Sequence, residues 1–197
     1  MGKAPHVIIL AGPNGAGKST SAPVLLRDTF AVDEFVNADT IAQGLSAFRP
    51  ESAALEAGRI MLNRLHELAN KQVDFAFETT LASRTFAPWL KRLGEEGYKI
   101  HLMFLTLPNA EAAIARVASR VSLGGHNVPV DDIKRRFESG LKNLFQLYIP
   151  IVASWKIYDN SQPVHPIKFA EGSQGLVPKI IDITLYDKLI RRYGHAC

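Results

Sequence analysis

The stretch that most constrains this chain is Gly12-Pro-Asn-Gly-Ala-Gly17-Lys18-Ser19, directly after the short apolar run His6–Ala11. It matches G-x-x-x-x-G-K-[ST] in full. The run before it is β-branched and continuously apolar, as in a parallel strand buried on both faces. Glycines permit backbone angles that turn successive N–H groups toward one anion. The helix predicted from Lys18 to about Arg27 adds partial positive charge at the same point. Lys18 supplies a movable cation for terminal phosphates, and the Ser19 hydroxyl suits Mg²⁺. Gly12, Pro13, Asn14, Gly15, Ala16, Gly17, Lys18, Ser19 and Thr20 are therefore the candidate residues for holding a nucleoside triphosphate.

The rest of the chain alternates strand and helix patterns. Glu34–Asn37, Phe75–Glu78, Lys99–Leu105 and Lys156–Tyr158 read as strands. Glu51–Asn70, Thr85–Leu93, Ala110 to about Val121 and Asp131 to about Tyr148 read as helices. Within Glu51–Asn70 the apolar residues Ala54, Leu55, Met61, Leu62, Leu65 and Leu68 recur near helical spacing. In the last helix Ile133, Phe137, Leu141, Leu144 and Tyr148 do so, and Asp131 is placed to cap its start. A hairpin around Ile167–Phe169 and Ile180–Ile183, then a final helix, closes the chain. This alternation predicts an α/β fold, a P-loop three-layer sandwich on a mainly parallel five-stranded sheet. The 197 residues fit one domain, 1–197. A helical lid is expected at about 110–137 and a C-terminal extension at about 161–197.

Composition narrows the classes further. A hydrophobic fraction of 47% and a charged fraction of 21% argue against disorder and collagen. The single cysteine, Cys197, can form neither an internal disulfide nor a cysteine-built zinc site, and reads as a terminal thiol rather than a catalytic one. No apolar run approaches the roughly 18 residues of a membrane span, and the start does not read as a secretory signal. The expectation is a soluble cytoplasmic protein with no membrane partner. The net charge of +4 comes without a dense basic block or an aromatic-interleaved basic stripe, which argues against nucleic acid and suits an anionic small molecule.

Several polar residues fall where ligands bind in open α/β sheets, beyond the carboxyl ends of strands. Asp39 could orient and deprotonate an attacking hydroxyl, or cap the following helix. Glu78 could meet Mg²⁺ or a substrate hydroxyl, or pair with a nearby Lys or Arg. Thr80 and Arg84 follow it as candidate substrate contacts. Arg116 and Arg120 share one helix face, and Arg135 and Arg136 open the next helix across a loop with two glycines. That is the pattern of a hinged lid carrying cations, which offset charge during phosphoryl transfer and exclude water. His126 is either a lid contact or an exposed loop residue. Asn160 is open between a contact to the nucleotide base and a turn.

The segments AGPNGAGKST, FVNADTIAQGLS, FAFETTLASRTF, ARVASRVSLGGHNVPVDDIKRRF and WKIYDNS together resemble the zeta-toxin family of P-loop kinases, over roughly Val7 to Ser161. The resemblance implies a fold like that of nucleotide and shikimate kinases, with ATP and Mg²⁺. It implies transfer of the ATP γ-phosphoryl group to a hydroxyl, in the family that of UDP-N-acetylglucosamine. It makes Lys18 the loop lysine, Asp39 the base, Ser19 and Glu78 metal and substrate contacts, and Arg120 and Arg136 the lid arginines. Arg116 and Asn160 join the nucleotide contacts. In the family the substrate arginine stands closer to the strand-end acid than Arg84 does. An antitoxin protein is implied as partner by analogy. The alternative reading is an ATPase or nucleotide-dependent switch acting through a protein partner.

Overall fold

The computed structural model describes residues 4–27, 32–162 and 165–194; Cys197 lies outside them. The apolar run His6–Ala11 forms β1, and Val7 through Ala11 are all fully buried. Alternate residues of a strand point to opposite faces, so burial of every one means that both faces of β1 are covered. β2 (Phe35–Val36), β3 (Phe75–Thr79), β4 (Lys99–Thr106) and β5 (Ser154–Asp159) join it in parallel. β6 (Ile167–Ser173) and β7 (Lys179–Ile180) then add on antiparallel, giving seven strands in the order β2-β3-β1-β4-β5-β6-β7. The expected parallel five-stranded sheet is therefore present, and the predicted hairpin extends it rather than standing apart.

The helices are α1 (Lys18–Ala22), α2 (Ala38–Leu45), α3 (Ala54–Asn70), α4 (Phe86–Glu95), α5 (Ala110–Ser122), α6 (Val130–Asn143) and α7 (Ile183–Tyr193). α1 runs on through a π-turn at Pro23–Arg27, and α6 through one at Leu144–Tyr148. The α6 stripe Ile133, Phe137, Leu141, Leu144 and Tyr148 is buried throughout. In α3 the buried face is Ala57, Met61, Leu65 and Leu68, whereas Leu55 is 72% exposed and Leu62 41% exposed. Leu62 lies about 100° around the helix from Met61, so only one of two adjacent leucine or methionine positions can face the sheet.

Two expected caps are corrected. Asn37, not Asp39, caps α2: its side-chain oxygen accepts from the Asp39 N–H at 2.8 Å and the Thr40 N–H at 3.4 Å. Asp39 thereby stands in the first turn with its carboxylate free of the cap. Similarly, α6 begins at Val130 after Pro129, which places Asp131 inside the first turn, where its charge complements the helix N-terminus.

β1 is the middle one of the five parallel strands, with β3 on one side and β4 on the other. The chain leaves β1 at the point where neighbours diverge, which opens a crevice at the carboxyl ends of the strands. The glycine-rich loop sits there.

Candidate active site

Gly12–Gly17 turns the chain from β1 into α1. Gly17 has φ 76°, a left-handed conformation, and a Cβ there would stand 2.7 Å from the Asn160 amide nitrogen. At Gly12 a Cβ would lie 2.3 Å from the Leu105 carbonyl oxygen on β4. The loop thus lies tight against β4 and the end of β5, and only glycine fits at these two points. The Asn160 side chain donates to the Ala16 carbonyl at 2.8 Å. Asn160 therefore braces the loop.

Lys18 is 7% exposed. Its ammonium donates to the Pro13 carbonyl at 3.1 Å and lies 3.6 Å from Glu78 Oε1. Burial pulls its pKa below the usual lysine range, and the charges of Glu78 and Asp39 oppose that shift. The other Glu78 oxygen accepts from the Ser19 hydroxyl at 2.8 Å and from the Asn37 amide at 2.9 Å. Glu78 thus pairs with a lysine, as one of its two readings held, and the pair is part of the site itself. Asn37 ties α2 to this cluster while capping it. Its motif position was visible in the sequence, and an Asn just before a helical pattern is a capping signal.

These groups border one open cavity of about 530 Å³. Asn14, Gly15, Gly17, Lys18, Ser19 and Thr20 border it from the loop and α1, Asp39 and Glu78 from α2 and β3, and Arg116, Arg120 and Asn160 from α5 and the end of β5. Gln162, His165 and Pro166, which were not anticipated, also border it. Arg116 donates to the Ser161 carbonyl at 2.9 Å and Arg120 to the His126 carbonyl at 2.7 Å. From α6, Arg136 reaches Asn14 Oδ1 at 3.4 Å. Arg135 instead pairs with Asp132 on the exposed side of α6. Two residues expected nearby are not brought in. Arg84 is exposed and borders none of this cavity, and Thr80 lies with its carbonyl against Gly140, where a Cβ would stand 2.6 Å away.

The oxygen donors Ser19 and Glu78, 2.8 Å apart, fit Mg²⁺, which takes few protein ligands and relies on phosphate oxygens and water for the rest. Among the described residues no cluster of three His, Cys, Asp or Glu offers a closed metal cage. No helix among them is long and apolar enough to cross a membrane.

A glycine-rich loop with its lysine at the switch point of a mostly parallel sheet defines the P-loop kinase and ATPase class. Within that class the chain belongs to the Zeta toxin family, whose profile matches residues 1–165. A protein of Haemophilus influenzae described as uncharacterized is 30% identical over 130 residues, 66% of this chain and 91% of that protein. The fold is shared with a crystal structure of AvrRxo1-ORF1:-ORF2 with ATP, at a TM-score of 0.73 and 17% identity. That match covers 95% of this chain but only 64% of the other. The PezAT toxin–antitoxin system of Streptococcus pneumoniae matches at a TM-score of 0.65 and 16% identity, over 100% of this chain and 81% of the other.

Proposed function

We propose that this chain is a phosphotransferase that moves the γ-phosphoryl group of ATP onto a hydroxyl of a small molecule. The observation that carries the reading is the shared cavity, bordered both by the loop lysine Lys18 and by Asp39, whose carboxylate is free of the cap.

The loop N–H groups and the start of α1 hold the phosphate tail. Lys18 exchanges its contacts with the Pro13 carbonyl and Glu78 for phosphate oxygens. Ser19 and Glu78 would hold Mg²⁺, which neutralises charge on the phosphates when bound. Asp39 takes the acceptor's hydroxyl proton as the oxygen–phosphorus bond forms and ADP departs. Arg120 and Arg136, from the two arms of the lid, offset the charge that migrates toward the leaving oxygen. Arg116 steadies the rim through Ser161. The lid, about 110–137, turns on Gly124 and Gly125, and its closure keeps water from the phosphoryl group.

The family resemblance nominates a UDP-amino sugar such as UDP-N-acetylglucosamine as acceptor. The assemblies in which AvrRxo1-ORF1 and PezT relatives occur nominate an antitoxin-like protein partner. The reading is tested with labelled ATP and a panel of UDP-sugars, sugars and nucleosides. Transfer to any of them, lost in Lys18→Ala, supports a kinase. Brisk ATP hydrolysis with no labelled acceptor supports a switch instead.

A further inference from the structure

The connection between α5 and α6, Leu123-Gly-Gly-His-Asn-Val-Pro129, folds back on Arg120. The Gly125 N–H donates to the Arg120 carbonyl at 2.9 Å, and the Arg120 guanidinium donates to the His126 carbonyl at 2.7 Å. A Cβ on Gly125 would stand 2.5 Å from the Arg120 Cγ and 2.9 Å from its carbonyl oxygen, so the bare Cα lets the turn close on this side chain. Arg120 also borders the phosphate cavity, and its charge acts on Lys18 there. The turn therefore fixes where a cation of the phosphate site stands.

The same turn meets the chain between α2 and α3. His126 borders a depression of about 330 Å³ together with Glu51, which lies in the turn at Pro50–Ala53. It borders a smaller recess together with Asp39. The His126 Nδ1 atom is buried and has no hydrogen-bond partner among the described residues, while Glu51 Oε2 lies 3.6 Å away. A buried ring nitrogen without a partner is costly, and a closure of roughly half an ångström would bring this pair into hydrogen-bond range. The charged groups around the turn are Glu51, Asp39 across the recess, and Arg120, whose guanidinium is engaged with the carbonyl. Ala42 of α2 packs with Ala53 and Ala57, so the segment that carries Glu51 is joined to the helix that carries Asp39.

We infer that His126 is a positioning residue for phosphoryl transfer. Its carbonyl holds the Arg120 guanidinium on the phosphate cavity, and its ring, donating from Nδ1 to Glu51, holds the carbonyl. The lid cation and the base Asp39 are thereby set relative to each other through one contact. The inference rests on the kinase reading and adds to it the residue that orients Arg120. Glu51 is exposed, so the bond contributes little to stability. Its effect is on orientation, where a small displacement of a reacting group slows the chemistry.

The test follows single-turnover transfer of the γ-label from ATP by the full chain with Mg²⁺, to UDP-sugars, sugars and nucleosides, beside ATP affinity. His126→Ala should slow transfer at least about tenfold with ATP affinity changed less than about twofold. Glu51→Ala, at an exposed position, should slow it at least about threefold in the same manner. His126→Asn, whose side-chain amide takes the place of the Nδ1–H donor, should recover most of the rate. In Arg120→Ala, adding His126→Ala should cost less than about a further twofold, because the two act as one unit. Ring-nitrogen NMR with a non-hydrolysable ATP analogue should show a proton on His126 Nδ1 that is lost from the spectrum in Glu51→Ala. An unchanged rate in His126→Ala, losses that multiply with Arg120→Ala, or an Nδ1 without a proton overturns the inference and leaves the kinase reading intact. ATP affinity and rate falling together would assign His126 to the fold of the lid and overturn it equally. Label released only as inorganic phosphate overturns both.

Discussion

Replacing Glu78 with Gln removes the charge nearest to a buried ammonium while keeping an oxygen for Ser19 and Asn37. In the nucleotide-free protein Lys18 then retains the Pro13 carbonyl and the more distant Asp39 as its favourable partners. Breaking a buried ion pair from one side costs about 3–5 kcal/mol. Because the Pro13 contact and Asp39 remain, the lower end, about 3 kcal/mol, is expected here. For a chain of this size that corresponds to a fall in Tm of roughly 6–12 °C. ATP carries its own negative charge to Lys18, so most of the loss should disappear when the nucleotide is bound. Thermal unfolding of wild type and Glu78→Gln, each with and without saturating ATP in the presence of a chelator, measures the difference. The ATP-induced rise in Tm should be larger in the variant than in wild type. An equal fall with and without ATP would show that Glu78 serves the fold rather than the charge of Lys18, and the reasoning would fail.

Three further outcomes follow from other contacts. Asn160→Ala removes the bond to the Ala16 carbonyl, worth about 1 kcal/mol, and should weaken ATP about fivefold by calorimetric titration; an unchanged Kd would limit Asn160 to a role in stability. Asn143 is buried and donates to the Leu81 and Ala82 carbonyls at 2.9 and 3.1 Å, where Leu81 has φ 59°; Asn143→Leu should cost about 2–4 kcal/mol in urea unfolding, and a loss below about 1 kcal/mol would contradict the clamp. At the other end of the sheet, burial and then the neighbouring charges of His6, Lys99 and Lys156 hold the His101 pKa down to about 4, while its nitrogens contact His6 and Ser154 at 2.8 and 2.7 Å. Between the unfolded value near 6.5 and that value, the unfolded chain binds the extra proton. Stability from this group is therefore complete above pH 6.5 and falls with acidification, by about 1 kcal/mol from pH 7.5 to pH 5 once solvent screening of a half-exposed ring is allowed for. Denaturation at the two pH values should show this slope, and His101→Gln should flatten it.

The parts of the site that follow from backbone necessity were the parts legible in the sequence. A loop forced against β4 and Asn160 admits only glycine at Gly12 and Gly17, so its spacing announces it. The buried strand β1 and the α6 stripe were equally plain, because burial on both faces or on one face dictates the periodicity. Side chains with long reach were less readable. Arg116, Arg120 and Arg136 do converge on the cavity or its loop, whereas Arg84, at the end of the same kind of argument, stays in solvent. Asn37 and Asp39 stand two residues apart, and only the start of α2 decides which one caps and which is released to the cavity. Leu55 and Leu62 read as core because leucine recurs on both sides of α3, and packing chose the Met61–Leu65–Leu68 side. The hairpin could be located, but its pairing with β5 depends on contacts across the sheet that local pattern does not carry. Gln162, His165 and Pro166 have no motif at all and border the cavity through the path of the chain after β5.

The central claim is that Asp39 acts on an acceptor while Lys18 and its loop hold ATP. Single-turnover transfer of labelled phosphate, measured beside ATP affinity in Asp39→Asn, tests it most directly. The account predicts a loss of about 10²–10⁴-fold in the transfer rate with ATP affinity changed by less than about twofold. Transfer at the wild-type rate in Asp39→Asn would contradict it.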